Sequence, residues 1–288
     1  MKRVFPPLFA RPLWSPRTGL LACGVAGVFA FAGCERKDPA VAAAPPTPPP
    51  GPPIIPAAIA GEQPAEPWAK LPPDQWPQMV LTNRAAFKHR TSLQGASAFL
   101  LQGDSGTVYA ATANHLLGEN GGVKPEVPRA SLDSELLSWE LFPRTEPAKI
   151  HRVAGLASHA PVSPGNDWLI LRFAERPERL PATPMHLRAT PVKVGEQVHL
   201  IGVPYSEPTR PQNVYTGKVT ARGFGDRFRY NLSPPVDIRG FSGAPIVDDA
   251  GLVVGVMTVW FEPKMQGDKM LEAGGEDASV IVQEGTAP

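Results

Sequence analysis

Three short motifs in this 288-residue chain hold the residue types that acyl-transfer chemistry needs. Ala111-Thr112-Ala113-Asn114-His115-Leu116-Leu117 ends an apolar run. Gly165-Asn166-Asp167-Trp168-Leu169-Ile170-Leu171-Arg172 reads as a turn feeding a buried strand, and Gly240-Phe241-Ser242-Gly243-Ala244-Pro245 as a glycine-rich turn before a hairpin. A serine hydroxyl is a weak nucleophile at neutral pH, so a base must take its proton as it attacks a carbonyl. Histidine titrates in the right range for that and for returning the proton to a leaving amine. A buried carboxylate would fix the imidazole tautomer and stabilise its cation. Singly, each motif has a plainer reading. A histidine at a strand end is usually a hydrogen-bonded structural residue, an aspartate before a strand is usually a turn residue, and Gly-x-Ser-Gly turns are common because glycine tolerates positive φ. Among other carboxylates, Asp133 and Asp226 sit in polar stretches, and Asp237 is too near Ser242 in sequence to face it across a cleft.

Composition allows the scaffold such groups need. Hydrophobic residues make up 42% and charged residues 19%, which excludes a highly charged disordered protein. Lys plus Arg (28) nearly balance Asp plus Glu (27), so a nucleic-acid backbone is not the expected partner. The six histidines show no HExxH spacing, and no metal or cofactor is expected. Both cysteines, Cys23 and Cys34, lie near the N-terminus, so the remainder can form no disulfide.

From Met79 onward the pattern is one of short strands. Residues 98–101 and 107–110, joined by Gln-Gly-Asp-Ser-Gly, predict a hairpin. Residues 194–203, 213–220 and 227–232 read as strands, and residues 245–247 with 252–261 as a further hairpin. One short helix is expected over residues 82–90, while residues 130–142 fit helix or strand equally. The expectation is an all-β sandwich or barrel.

The N-terminus reads as an address. Lys2, Arg3, Arg11 and Arg17 precede the uncharged residues 19–33, which are short for a membrane span but suit a secretory signal. Phe31-Ala32-Gly33-Cys34 resembles a bacterial lipobox, with Phe31 where Leu is usual; this implies diacylation of Cys34. Plain cleavage near Ala32 or Gly33 is the alternative. Fourteen of the 36 prolines fall between Pro39 and Pro77, which makes residues 34–78 an expected disordered tether between a signal (1–33) and a globular domain (79–288). The domain is thus expected to be exported and held at the cell envelope, or else to be periplasmic or secreted.

In their order His, Asp, Ser, with spacings of 52 and 75 residues, the three motifs together resemble the chymotrypsin/trypsin-like serine peptidases. The resemblance covers roughly residues 85 to 262 and is most specific at the serine motif with its following Gly-Leu-Val-Val-Gly-Val. It implies two Greek-key β-barrels meeting at an active site, a polypeptide substrate, and catalysis by His115, Asp167 and Ser242. It also implies an oxyanion hole from the N–H groups of Gly240 and Ser242, and weakly a pocket walled by Val236, Asp237, Met257 and Thr258. Phe241 stands where many members carry an aspartate that pairs with a new N-terminus after zymogen cleavage, which resembles the bacterial branch lacking such activation. An HtrA-like assignment is weakened because 27 residues follow Phe261, too few for a PDZ domain. Glutamyl-specific relatives place a histidine where Met257 stands, which argues against glutamate at the cleavage site. The second class is a non-catalytic binding protein of the same fold, and the completeness of the motifs favours the enzyme.

Overall fold

The computed structural model describes residues 64–103, 106–158, 165–175, 177, 179–223, 225–258, 261–262 and 264–283. The expected signal segment, Cys23, Cys34 and most of the proline-rich stretch lie outside the described residues.

Six antiparallel strands make the first barrel: β1 (Val80–Phe87), β2 (Leu93–Gln102), β3 (Val108–Thr112), β4 (Leu136–Phe142), β5 (His151–Leu156) and β6 (Leu169–Phe173). They run in the order β1-β2-β3-β6-β5-β4, and β4 returns to β1 to close the cylinder. The second barrel comprises β7 (Gln197–Gly202), β8 (Asn213–Arg222), β9 (Arg227–Val236), β10 (Pro245–Val247), β11 (Val253–Thr258) and β13 (Lys269–Asp277), with β12 (Met265–Gln266) as a short hairpin partner of β13. Its order is β11-β10-β7-β8-β9-β13, closed by pairing of β13 with β11. The expected all-β, two-barrel architecture is the one observed. Closure removes free strand edges, which is how a sheet of this size avoids edge-to-edge association.

Two local expectations are corrected. The helix expected over residues 82–90 is strand β1. Leu81, Asn83, Ala85 and Phe87 are buried while Thr82, Arg84 and Ala86 are half-exposed, a period of two. Pairing with both β2 and β4 overrides the helix propensity of its alanines. The buried Asn83 that blurs the pattern is satisfied, because Trp139 Nε1 donates to its Oδ1 at 3.0 Å. The ambiguous residues 130–142 hold both structures: a single turn, α1 (Leu132–Glu135), runs straight into β4.

Three apolar clusters hold the barrels. Leu100, Trp139, Leu141 and Leu171 fill the first, and Val198, Leu200, Phe228, Tyr230 and Ile246 the second. A third cluster joins Met79, Phe99, Leu101 and Ile170 to Ile201, Val247 and Val256. Strand β2 therefore buries both faces, Leu100 into its own barrel and Phe99 into the seam, which is why it reads as an unbroken apolar run. Trp68 and Trp76 also join the seam cluster, ring centroids 4.9 Å apart, and the Glu66 N–H donates to Ala250 O at 2.7 Å. Packing thus begins ahead of Met79, where the tether was expected to continue. The tryptophans, each with a large apolar face to bury, draw the end of the proline-rich stretch onto the domain.

Candidate active site

His115 sits on a 3-10 turn, Asn114–Leu117, directly after β3. Asp167 ends the turn that enters β6, next to the fully buried Trp168. Pairing of β3 with β6, Thr112 opposite Leu169, brings these two strand ends together. Asp167 then holds His115 twice. Its Oδ1 accepts the His115 backbone N–H at 2.7 Å, and its Oδ2 lies 2.6 Å from Nδ1. Because an ionised carboxylate only accepts, Nδ1 carries the proton in this contact and Nε2 presents a lone pair. Both side chains are 20% exposed.

Ser242 belongs to the turn before β10, and the first barrel grips that turn. The Ser97 N–H donates to Ser242 O at 2.9 Å, and Ser97 Oγ donates to Gly240 O at 2.7 Å. Gly243, at φ +84°, passes so close to the end of β3 that a Cβ would lie 2.4 Å from Ser97 O and Thr112 Oγ1 and 2.8 Å from Ala113 N. Ser242 is thereby set against the strand end that carries His115. Among the described residues, no hydrogen bond joins Ser242 Oγ to His115 Nε2. Such links are commonly loose without substrate and tighten in its complex.

The peptides around Ser242 have fixed directions. Arg239 O accepts the Tyr205 N–H at 2.9 Å, which turns the N–H of Gly240 the opposite way. Phe241 N–H donates to Ile238 O at 3.0 Å. Among the described residues, the N–H groups of Gly240 and Ser242 donate to no protein acceptor. This leaves two backbone donors flanking Phe241 and available to an incoming oxyanion. Gly240 adopts φ +106°, a conformation that L side chains rarely take. Phe241 is fully buried and meets Tyr215 edge to face at 5.7 Å, and its ring occupies the space a side chain at Gly202 would need. The turn is thus anchored by apolar packing at the position where an ion pair was absent from the sequence.

The expected pocket residues are placed as follows. Val236 and Met257 are buried in the second barrel's cluster. Asp237 is taken up by Arg239, whose Nε and Nη2 donate to its two carboxylate oxygens at 2.7 and 2.6 Å. Those hydrogen bonds hold the Asp237 carboxyl below its usual range. Thr258 is buried, and its hydroxyl finds no hydrogen-bond partner among the described residues. Asp133 is occupied elsewhere: its Oδ1 accepts the Leu156 N–H at 2.8 Å, beside Arg172. Ser97, Tyr205 and Glu276 were not singled out in the sequence. Ser97 lies in an unremarkable Gly-Ala-Ser-Ala run, and nothing local marks it as a clamp on a turn 143 residues away.

The sequence matches the model of the trypsin-like peptidase domain over residues 96–256, more than half of the chain. The chain belongs to the trypsin-like peptidase family. No curated protein matches its sequence. Among solved structures, kallikrein-related peptidase 10 is similar at a TM-score of 0.50 and 13% identity, over 72% of this chain and 92% of that one. The active form of the Rv3671c protease from M. tuberculosis matches at a TM-score of 0.47 and 16% identity, over 73% and 80%. At 13% identity the likeness to kallikrein-related peptidase 10 concerns the fold alone.

Proposed function

We propose that this trypsin-like domain is a serine endopeptidase acting through His115, Asp167 and Ser242. The observation that carries the reading is the double hold of Asp167 on His115 beside a turn whose Gly240 and Ser242 N–H groups are left without protein acceptors. With Nδ1–H held by Asp167, Nε2 takes the proton of Ser242 Oγ as that oxygen attacks the scissile carbonyl. The carbonyl oxygen becomes an oxyanion, stabilised by the N–H groups of Gly240 and Ser242 at ~3 kcal/mol for one such donor. Imidazolium then returns the proton to the leaving amine, giving an acyl-enzyme on Ser242. Water then attacks the acyl carbonyl as Nε2 takes its proton; the C–Oγ bond breaks, imidazolium returns that proton to Ser242 Oγ, and the acid product leaves. Acylation and deacylation each need His115 neutral at their start, and Asp167 ionised throughout.

The proposal includes a location: acylation of Cys34 holds the protein at a bacterial cell envelope, with the proline-rich stretch setting its reach. Hydrolysis of unfolded protein or a peptide library by the purified domain, compared with Ser242→Ala, tests the activity. Hydrolysis by wild type and none by the variant supports it; equal rates refute it. Intact mass of the mature protein tests the anchor, since a free, unlipidated N-terminus would contradict it.

A further inference from the structure

Strand β13 buries an acidic side chain in the wall of the second barrel. Glu276 is 2% exposed, and its Oε2 accepts the backbone N–H of Asp167. Asp167 is therefore fixed at both ends, its carboxylate by His115 and its N–H by Glu276. Three charged groups on other elements face Glu276: Asp167 ahead of β6, and Asp226 and Arg227 at the start of β9. Arg227 also donates to Gly165 O, two residues before Asp167. The adjacent Asp277 is engaged separately, with Arg222 at 2.9 Å and the Val192 N–H at 3.2 Å. Burial pushes the Glu276 carboxyl up to about 7, with the Asp167 and Asp226 charges adding to it and the Asp167 N–H hydrogen bond and Arg227 opposing it. A neutral carboxyl or amide oxygen can still accept the Asp167 N–H, though less strongly than the carboxylate, whose charge that hydrogen bond favours.

We propose that Glu276 is a positioning residue that locks the Asp167 backbone and, through its charge, sets the basicity of His115. The assignment rests on the reading of His115 as the general base. A second anion behind Asp167 stabilises imidazolium, so His115 binds its proton more tightly when Glu276 is ionised. The two groups titrate as a coupled pair, and the acid limb of activity is spread over a wider pH range than one ionisation gives.

Two variants separate the lock from the charge. Glu276→Gln keeps an acceptor for the Asp167 N–H and removes the charge. Glu276→Leu removes both and leaves a buried donor unpaired. The measurement is the midpoint of His115 titration by NMR of its imidazole nitrogens, alongside kcat and KM from pH 5 to 9. In Glu276→Gln the midpoint should fall by about half a unit, the size of effect one partly screened charge produces, and the limb should sharpen to a single ionisation. Glu276→Leu should lower kcat about tenfold with KM unchanged, and Gln should restore it. If the Leu variant fails to fold, the Gln titration decides alone. A Gln midpoint within a tenth of a unit of wild type, with an unaltered limb, overturns the proposal. Failure of the peptidase reading is distinct: wild type would then show no hydrolysis, while the NMR midpoint still reads the coupling.

Discussion

Replacing Asp167 by asparagine is the most informative single change, because the geometry dictates which way the amide must face. The position of Oδ1 opposes the His115 backbone N–H at 2.7 Å, and that donor cannot be inverted. The amide oxygen must therefore take the Oδ1 place, which leaves the NH2 group in the Oδ2 place, 2.6 Å from Nδ1. Two donors cannot face each other there, so Nδ1 becomes the acceptor and the imidazole proton moves to Nε2. Nε2–H cannot accept the proton of Ser242. An asparagine that imposes the wrong tautomer in a Ser-His-Asp site costs on the order of 10⁴ in kcat, or about 5.5 kcal/mol of barrier. The fold should persist, since the backbone hydrogen bond and the shape are kept. The assay is kcat/KM on a peptide substrate, paired with ¹⁵N shifts that report which imidazole nitrogen is protonated. A variant within tenfold of wild type, or one whose His115 keeps its proton on Nδ1, would refute the reasoning.

Other outcomes follow from the same structure. Gly243→Ala should unfold the turn or cost at least ~3 kcal/mol in thermal unfolding, because its Cβ would lie 2.4 Å from Ser97 O at φ +84°. Phe241→Ala should cost ~3–5 kcal/mol by emptying a fully buried site, and denaturant melts would show it. Chains beginning anywhere from Glu35 to Pro64 should be equally active without proteolytic processing, whereas loss of Trp68 and Trp76 should lower Tm; activity confined to one cleaved form would contradict the role given to Phe241. Glu276 also links stability to pH. Its folded pKa of about 7 lies above the ordinary 4.5, so its stabilising contribution is complete below pH 4.5 and is lost as pH rises through 7. Glu276→Gln should therefore gain about 3 kcal/mol relative to wild type between pH 4.5 and pH 8.

Much of this was legible in the sequence wherever local pattern and tertiary demand coincide. Strands β2, β3, β7, β10 and β11 carry apolar runs ended by turn residues, and they lie where the sequence put them. The three proposed site residues lie at local signals: His115 follows β3, Asp167 precedes the strand that pairs with β3, and Ser242 sits in a turn with glycines on both sides. Strand β1 was misread because its period of two is interrupted by a buried asparagine and padded with alanines. Strand β13, Lys-Met-Leu-Glu-Ala-Gly-Gly-Glu-Asp, looks like polar loop, since its acids are satisfied by partners far away in sequence. Clamps such as Ser97 on Gly240, or Glu276 on Asp167, arise only when two barrels close, and no local signal announces them.

The central claim is that Ser242 is an activated nucleophile. Fluorophosphonate labelling of the purified domain, with the adduct mapped by peptide mass spectrometry, tests it most directly. The expected result is one adduct on Ser242, formed at a rate that rises with pH as a histidine general base requires and vanishing in His115→Ala. No adduct, or one at another serine that persists in Ser242→Ala, would contradict it.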